Sequence, residues 1–340
     1  MKAVVFEGPG AVELQERPDP KARSEHETLI RVLACGLCGS DMRAMTVPPQ
    51  LPCNPDTVMG HEIVGIVDTP AADSRFAAGD VVVAVPNYPC RKCHSCQAGL
   101  INLCDNFTHV GVHVDGGLAE LLWVPDEYLY AVPAGLDPHL AALAEPLACV
   151  LNGTRRANWH PGEPVVILGG GPVGLLFLAV AKLSGAAPLI VTEPNAARAA
   201  KALEIGADHV VDPTGPDALE RITALTGGHG AATVIDTLGT LLEEALTLVA
   251  KAGEIFVFGV NQTATIAITP AVIQGKEASI HGVYIAKSTF PLALTLLATH
   301  PGLFGKIVTD CIPIADWDRA RDLLMSGKAA GKILVTGAQA

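Results

Sequence analysis

The segment PVVILGGGPVGLLFLAVAKLSG, residues 164–185, contains the pattern that decides the fold of this chain. A short β-branched run leads into a glycine-rich turn, and an apolar stretch of helical length follows. The pattern G-x-G-x-x-G in this strand–turn–helix context is typical of a dinucleotide-binding unit. Its first glycine permits a tight turn, its second lets the backbone approach a pyrophosphate, and its third lets helix and strand pack closely. The helix N-terminus adds a partial positive charge, and the predicted pyrophosphate-binding residues are Gly169, Gly171, Pro172, Val173 and Gly174.

The sequence changes character on either side of this segment. From about residue 139 to residue 260, strand and helix signals alternate, which predicts a parallel, doubly wound sheet. Residues 1–86 instead contain short β-branched runs separated by Gly, Pro and Asp, as in an antiparallel, barrel-like unit. The segment that starts with PLALTLLATH at residue 291 returns to helix and strand and reaches KILVTG near the C-terminus. The fold class is therefore α/β, with a β-rich domain in addition to the dinucleotide-binding one.

Composition and charge restrict the function. Of the 340 residues, 49% are hydrophobic and only 17% are charged, which suits a compact enzyme and excludes a disordered chain. The formal net charge of −12 argues against nucleic acid or an anionic membrane as a partner. The N-terminal apolar run is too short for a signal peptide, and the longest charge-free run contains the glycine turn. We expect a cytoplasmic protein that acts on a small molecule.

An acidic residue ends the strand that follows the glycine motif. Glu193 lies where a carboxylate accepts hydrogen bonds from the ribose hydroxyls of the cofactor and repels a 2′-phosphate. This favours NAD over NADP, the alternative being an ordinary exposed glutamate at a strand end. Arg198, one turn into the next helix, reaches the same ribose or is simply solvated.

The segment CRKCHSCQAGLINLC, residues 90–104, has the cysteine spacing C-x2-C-x2-C-x7-C. Four thiolates from one loop can close a tetrahedron around a structural Zn²⁺ and leave no position for a substrate. Two disulfides are the alternative, which a cytoplasmic setting disfavours, and an iron–sulfur cluster is another. The predicted structural zinc ligands are Cys90, Cys93, Cys96 and Cys104.

A catalytic metal needs mixed ligands and one open coordination position. Cys38, His61 and Glu145 offer sulfur, nitrogen and oxygen from three separate segments. Each residue also has a purely structural interpretation. Cys38 would then be a buried thiol, His61 a loop histidine and Glu145 a carboxylate at a helix end. Spacing alone does not bring such distant segments together.

Taken in order, these motifs resemble the zinc-dependent medium-chain alcohol dehydrogenase family, and the polyol (sorbitol), threonine and cyclitol dehydrogenases within it. The motifs are G-x-C-G-S-D (36–41), G-H-E (60–62), the four-cysteine lobe, E-P-L-A (145–148) and G-x-G-x-x-G followed by Glu193. The resemblance implies a GroES-like catalytic domain, interrupted by a Rossmann domain, with a cleft for substrate and catalytic zinc. The implied domains are residues 1–146 (GroES-like, with the zinc lobe at about 87–110), 147–286 (NAD-binding Rossmann domain) and 287–340 (return to the catalytic domain).

The resemblance also implies the catalytic ligands. Cys38 and His61 match the first two zinc ligands, and Glu62 matches a carboxylate that binds the metal directly or exchanges with water. Glu145 stands where simple alcohol dehydrogenases have a cysteine, and a glutamate there is similar to the polyol dehydrogenases. These four residues, together with Ser40, are the predicted catalytic residues.

Residues around this ligand set agree with the family in two places and depart from it in two. Ser40 matches the hydroxyl that accepts the substrate proton, and Asp41 matches the carboxylate that orients the histidine ligand. Arg43 stands where many relatives have a histidine that passes the proton to solvent. Asn152 replaces another frequent histidine. The departures leave the reaction type intact and the identity of the substrate open.

The resemblance implies the remaining parts of the reaction. Gly259 and Val260 are expected to line the nicotinamide pocket, and Lys332 either reaches the pyrophosphate or is a surface lysine. The expected protein holds two Zn²⁺ and NAD and oxidises a secondary alcohol of a polyol, cyclitol, aminocyclitol or amino alcohol, as a homodimer or homotetramer. The alternatives are a zinc-free NAD(P)H-dependent reductase of the same fold and a non-enzymatic, NAD-binding redox sensor.

Overall fold

The computed structural model describes residues 1–337 of the chain. Their packing divides the chain into two compact units. Unit 1 contains Met1–Ala148, Ala286–Pro301 and the residues from Val308 onward, and unit 2 contains Cys149–Ile285 and Gly302–Ile307.

Strands and helices are numbered along the chain. The strands are β1 (Lys2–Gly8), β2 (Ala11–Glu16), β3 (Glu27–Gly36), β4 (Thr57–Val58), β5 (Glu62–Thr69), β6 (Val81–Ala84), β7 (Asn87–Tyr88), β8 (Thr108–His109), β9 (Leu121–Pro125), β10 (Leu129–Ala131), β11 (Val165–Leu168), β12 (Leu189–Thr192), β13 (His209–Val211), β14 (Ala231–Asp236), β15 (Val249–Val257), β16 (Ser279–Gly282), β17 (Val308–Pro313) and β18 (Lys332–Thr336). The α-helices are α1 (Gly39–Met45), α2 (His94–Gln97), α3 (Pro138–Ala141), α4 (Ala144–Thr154), α5 (Pro172–Leu183), α6 (Ala196–Ile205), α7 (Ala218–Leu225), α8 (Leu242–Leu248), α9 (Pro270–Lys276), α10 (Phe290–Thr299), α11 (Pro301–Phe304) and α12 (Trp317–Met325). Short 3₁₀ helices cover Ile101–Leu103, Asp126–Tyr128, Gly305–Ile307 and Ile314–Asp316.

Unit 2 is built on a six-stranded sheet in the order β13-β12-β11-β14-β15-β16. Every neighbouring pair in it is parallel. The chain order reverses between β11 and β14, and ligands of such sheets bind at this reversal, beyond the carboxyl ends of the strands. The prediction of a doubly wound parallel sheet is confirmed.

The glycine motif joins β11 to α5 at this reversal. Gly169 has a φ of +105°, in the left-handed region where glycine is favoured. A Cβ at Gly174 would collide with the carbonyl oxygen of Gly169. The first and third glycines of the motif are therefore required by the turn itself and by the packing of the helix against it.

Unit 1 has a larger, mostly antiparallel sheet in the order β10-β6-β5-β3-β18-β17, with β9 also paired to β3. A three-stranded sheet, β2-β1-β4, and a two-stranded sheet, β7-β8, complete the described β structure of this unit. The predicted β-rich N-terminal region is confirmed, since the runs KAVVFE, LIRVLA, IVGIVD and VVVAVP fall on β1, β3, β5 and β6. Alternate residues of these strands enter one buried cluster that also contains Trp317.

The C-terminal return differs from the expected single segment. Residues Gly302–Ile307 belong to unit 2, where the Lys306 ammonium donates to the Glu204 carbonyl at the end of α6, with an N–O distance of 3.2 Å. Ile307 is fully buried there. In the part of the chain that the structure describes, no helix has both the length and the apolar character needed to cross a membrane.

Candidate active site and metal centres

The end of β3 and the start of α1 position the first candidate ligand. Cys38 is the N-cap residue of α1, and its backbone N–H donates to the Asp41 carboxylate with an N–O distance of 2.8 Å. Asp41 is only 2% exposed. This bond holds Cys38 at the helix start through its backbone, so the bond itself does not use the sulfur.

His61 and Glu62 reach the same point from the start of β5. The ligand atoms of Cys38, His61 and Glu62 all lie within 4.8 Å of one another. Gly36 pairs with Glu62 across β3 and β5, and a Cβ at Gly36 would collide with the Glu62 carboxylate. The first residue of G-x-C-G-S-D must therefore be glycine, because any side chain there would collide with Glu62.

The electrostatics of this cluster suit a bound cation. The Nδ1 of His61 and the Oε2 of Glu62 are buried without a hydrogen-bond partner among the described residues. Burial alone would lower the pKa of His61, but the Asp41 carboxylate and the Cys38 thiol outweigh it and raise that pKa to about 10. The cluster thus favours added positive charge, and the mixed sulfur, nitrogen and oxygen donors fit Zn²⁺.

Two polar side chains of α1 surround His61. The Ser40 hydroxyl oxygen lies 3.3 Å from His61 Nε2, and an Asp41 carboxylate oxygen lies 3.7 Å from His61 Nδ1. Asp41 therefore faces one nitrogen of the ring while Ser40 faces the other. Arg43 is half-buried in the last turn of the same helix.

Glu145 approaches the cluster but does not join it. It lies in the first turn of α4, is 7% exposed, and its negative charge raises the pKa of His61. Its carboxylate is outside the described set of ligand atoms that lie within 4.8 Å of one another. A ligand role for Glu145 stays a prediction. Asn152, later in α4, donates to the carbonyls of Tyr284 and Ile285, at 3.1 and 2.8 Å.

Lys332 contradicts the expectation of a cofactor contact. It is 2% exposed, and its ammonium forms a 2.7 Å ion pair with Glu62 and donates to the Leu37 carbonyl at 3.0 Å. The strand register explains the pair, because β18 and β5 both pair with the end of β3 at Gly36. Burial disfavours the charge of Lys332, but the Glu62 carboxylate outweighs this and raises its pKa.

We expect Lys332→Met to destabilise the metal-free protein strongly, because it leaves Glu62 buried without a counter-charge. Breaking a buried pair on one side costs about 3–5 kcal/mol, and urea denaturation followed by circular dichroism measures this. Lys21→Met is the matched control, since Lys21 is exposed and should shift stability by less than about 0.5 kcal/mol. If Lys332→Met lowered the free energy of unfolding by less than about 1 kcal/mol, the Lys332–Glu62 ion pair would not be what stabilises the site.

The cysteine lobe forms a second candidate metal centre. Its four sulfur atoms lie within 4.8 Å of one another, and those of Cys93 and Cys104 are 3.9 Å apart. A tetrahedron with metal–sulfur bonds of about 2.3 Å has its sulfurs about 3.8 Å apart, whereas a disulfide bond is about 2.05 Å long. All four cysteines are free thiols, which excludes the disulfide alternative for this lobe.

Two thiols of the lobe have pKa values that are shifted in opposite directions. The pKa of Cys90 is lowered to about 6, chiefly because the backbone N–H groups of Lys92 and Cys93 donate to its sulfur. The pKa of Cys96 is raised to about 12, by desolvation first and then by the Cys93 and Cys104 sulfurs. A divalent metal stabilises all four as thiolates, so the lobe fits a structural Zn²⁺.

The glycine motif of unit 2 fits a dinucleotide. Gly171 is the N-cap residue of α5, and a Cβ built on it meets no atom within 4 Å. The Glu193 carboxylate is 6% exposed and accepts from the backbone N–H groups of Gly170 and Asn195, at 3.0 and 2.8 Å. An acidic group is thereby fixed beside an open backbone turn, and it retains lone pairs for ribose hydroxyls.

The other predicted cofactor residues lie at the same carboxyl edge. Arg198 is half-buried in the first turn of α6, and Val260 is 39% exposed after β15. A side chain on Gly259 would collide with the backbone of Leu238 and Gly239. The glycine at 259 is therefore required by packing, and its contact with nicotinamide stays a prediction.

Sequence reasoning missed two polar residues. Asp236 ends β14 fully buried, and its carboxylate accepts three backbone N–H groups of the following loop, at Leu238, Gly239 and Leu241. The signal was an aspartate at a strand end, just before a glycine turn. His109 lies with its ring centroid 5.2 Å from that of His61, and burial and two neighbouring histidines lower its pKa to about 3.

Known proteins resemble this chain along nearly its whole length. An uncharacterised zinc-type alcohol dehydrogenase-like protein of Haemophilus influenzae is 34% identical over 92% of this chain and 91% of its own. A sorbitol dehydrogenase of Halalkalibacterium halodurans is 33% identical over 99% of both chains. The crystal structure of a protein described as a zinc-binding dehydrogenase of Sinorhizobium meliloti, bound to NADP, matches with a TM-score of 0.90 and 32% identity, covering 98% of both chains.

Two family descriptions match the two parts of the chain. Residues 24–134 match the alcohol dehydrogenase GroES-like domain, and residues 172–299 match the zinc-binding dehydrogenase family. These matches confirm the predicted fold class and the resemblance found in the sequence motifs. The chain therefore belongs to the zinc-type alcohol dehydrogenases, oxidoreductases of CH–OH groups, in the branch that includes the sorbitol dehydrogenases.

Proposed function

We propose that this enzyme is a zinc- and NAD-dependent dehydrogenase that oxidises a secondary alcohol to a ketone. The substrate is a polyol, a cyclitol or aminocyclitol, or an amino alcohol. The observation that carries the proposal is the convergence of Cys38, His61 and Glu62 within 4.8 Å, from segments distant in sequence. A zinc-free reductase or a redox sensor would not need these three buried residues, whose arrangement favours a bound cation.

The chain's own residues bind the two groups and handle the proton. Cys38, His61 and one carboxylate, that of Glu62 or that of Glu145, would hold the catalytic zinc and leave one position open for the substrate. Bound zinc supplies a Lewis acid, and bound NAD⁺ supplies the hydride acceptor. The Ser40 Oγ, 3.3 Å from the His61 ring, would accept the proton of the substrate hydroxyl and at the same time release its own hydroxyl proton to solvent. Asp41 keeps that ring oriented from its other nitrogen.

The proposed cofactor is NAD rather than NADP. The Glu193 carboxylate is fixed at the end of β12 by two backbone N–H groups, so it cannot easily move away from a 2′-phosphate. The Sinorhizobium relative is bound to NADP, which makes the preference of this chain an informative measurement. Glycine at 171 keeps the turn open for the pyrophosphate.

We expect NADH formation from a panel of polyols, cyclitols and amino alcohols, with kcat/KM at least roughly tenfold higher for NAD⁺ than for NADP⁺, or about 1.4 kcal/mol. Glu193→Ser should reduce that ratio by removing the charge that repels the phosphate. Glu243→Ser, at the start of α8, is the control and should leave the ratio unchanged. If none of the alcohols gave NADH or NADPH, the proposed reaction would be contradicted. A preference for NADP⁺ would contradict the role of Glu193.

The proposal includes a homodimer or homotetramer in the cytoplasm. Multi-angle light scattering of the purified protein gives the number of chains directly. Two zinc per chain by metal analysis supports the complete proposal, whereas one zinc would indicate the structural centre alone.

A further inference from the structure

His109 is a polar residue at the catalytic cluster that the proposed mechanism does not use. It lies on β8, half-buried, with its ring centroid 5.2 Å from that of His61. The antiparallel pairing of β7 and β8 places Asn87 directly opposite it. A second imidazole thus stands beside the metal-ligand histidine.

Hydrogen bonds fix the donor and acceptor roles of this ring. Its Nδ1 lies 2.6 Å from the Oδ1 of Asn87, an acceptor, so Nδ1 carries the proton. In the neutral ring Nε2 is then the acceptor. No residue among residues 1–337 forms a hydrogen bond with Nε2. A fully buried atom without a partner would belong to the buried, unpaired polar atoms, and Nε2 is not one of them, so it is accessible. An accessible acceptor is therefore left beside His61.

The surroundings of His109 hold its ring in place. Its backbone N–H donates to His113 Nδ1 at 3.0 Å, and the Phe107 ring packs edge-on at 6.2 Å. Asn54 bonds the backbone of Val112 and His113, at 2.8 and 2.9 Å, which fastens the loop before β4 to this segment. The acceptor is thus held before any ligand arrives, as recognition of a hydroxyl requires.

We propose that His109 is a specificity-determining residue that selects substrates with a hydroxyl on the carbon next to the reacting carbinol. Its Nε2 accepts a hydrogen bond from that neighbouring hydroxyl while the carbinol is held beside His61. This inference rests on the proposed function and narrows it to vicinal diols.

The test compares glycerol with isopropanol, which has the same central carbinol but lacks the neighbouring hydroxyls. We expect His109→Leu to lower kcat/KM for glycerol roughly tenfold more than for isopropanol, the size of one lost neutral hydrogen bond. His109→Gln, which keeps an acceptor oxygen, should recover part of this difference. His139→Leu is the control, because His139 is a half-buried histidine of α3 in the same unit, outside the His61 cluster.

A second readout does not depend on turnover. In cobalt(II)-substituted protein without NAD⁺, the visible spectrum reports ligands at the metal. His109→Leu should keep the glycerol-free spectrum and raise the glycerol concentration at half-saturation roughly tenfold. An equal loss for both alcohols, or a changed glycerol-free spectrum, would show that His109 only supports His61 and would overturn the inference while the proposed function stands. Failure of the proposed function would appear in the wild type instead, as no turnover of either alcohol and no spectral response to glycerol.

Discussion

Replacing Cys38 with serine is expected to abolish turnover in a protein that still folds. The change removes the soft, anionic ligand of the Cys38, His61 and Glu62 cluster, and a neutral hydroxyl is a much poorer zinc ligand. Lewis-acid catalysis contributes several kcal/mol, so we expect kcat/KM to fall by roughly a thousandfold or more. The fold should persist, because Asp41 accepts from the backbone N–H of residue 38 and not from its side chain.

Three measurements decide this prediction. The kcat/KM for the best substrate of the panel gives the loss, metal analysis should show zinc falling from two to one per chain, and urea denaturation should change little. Cys311→Ser is the matched control, since Cys311 is an exposed thiol of unit 1 outside both clusters. A Cys38→Ser protein that keeps both zinc ions and its activity would remove Cys38 from the ligand set.

The dinucleotide unit could be predicted from sequence because its signals are local. The β-branched run, the glycine turn and the apolar helix of residues 164–185 are contiguous. The glycine spacing is imposed by contacts inside the same turn, as the collision between a Cβ at Gly174 and the Gly169 carbonyl shows. Alternation of strands and helices then specifies the parallel sheet around it.

The catalytic cluster could be anticipated only through the resemblance, since its parts come from distant segments. The ion pair of Lys332 and Glu62 joins residues 270 positions apart, and both belong to strands that pair with β3. A lysine after a glycine and before an apolar run has the local pattern of a surface residue, and the sheet register alone buries it. Local patterns carry no information about such register, which is why the cofactor role expected for Lys332 was wrong.

His109 escaped prediction for a related reason. Its neighbours in sequence, Phe107 and His113, follow the cysteine lobe without any periodic pattern. It lies on β8, a two-residue strand that pairs with the two-residue strand β7 from the other side of the cysteine lobe. Strands of two residues leave little signal in a sequence, yet this pair places the His109 imidazole beside His61.

Substitutions in the cysteine lobe are expected to lower stability, whereas substitution of Cys38 is expected to lower turnover. Cys93→Ser should weaken folding or assembly first, because a zinc ion bound by the four cysteines would be what holds this loop. The apolar residues Leu100, Ile101 and Leu103 of the lobe are 39%, 37% and 47% exposed, so the lobe lacks a core of its own. Structural zinc in small domains contributes about 10–16 kcal/mol of apparent binding energy, and losing one thiolate should forfeit several kcal/mol of it.

The expected result for Cys93→Ser is a lower thermal midpoint and one zinc per chain, with kcat/KM of the remaining folded fraction within about threefold of wild type. Differential scanning fluorimetry and metal analysis measure the first two. Ser95→Ala, in the same short helix α2, is the matched control, because it keeps all four thiols. If Cys93→Ser instead lost turnover while keeping its thermal midpoint, the lobe would be the catalytic centre. The four thiolates fill a tetrahedron and leave no position for a substrate, so the two cysteine variants should separate stability from catalysis.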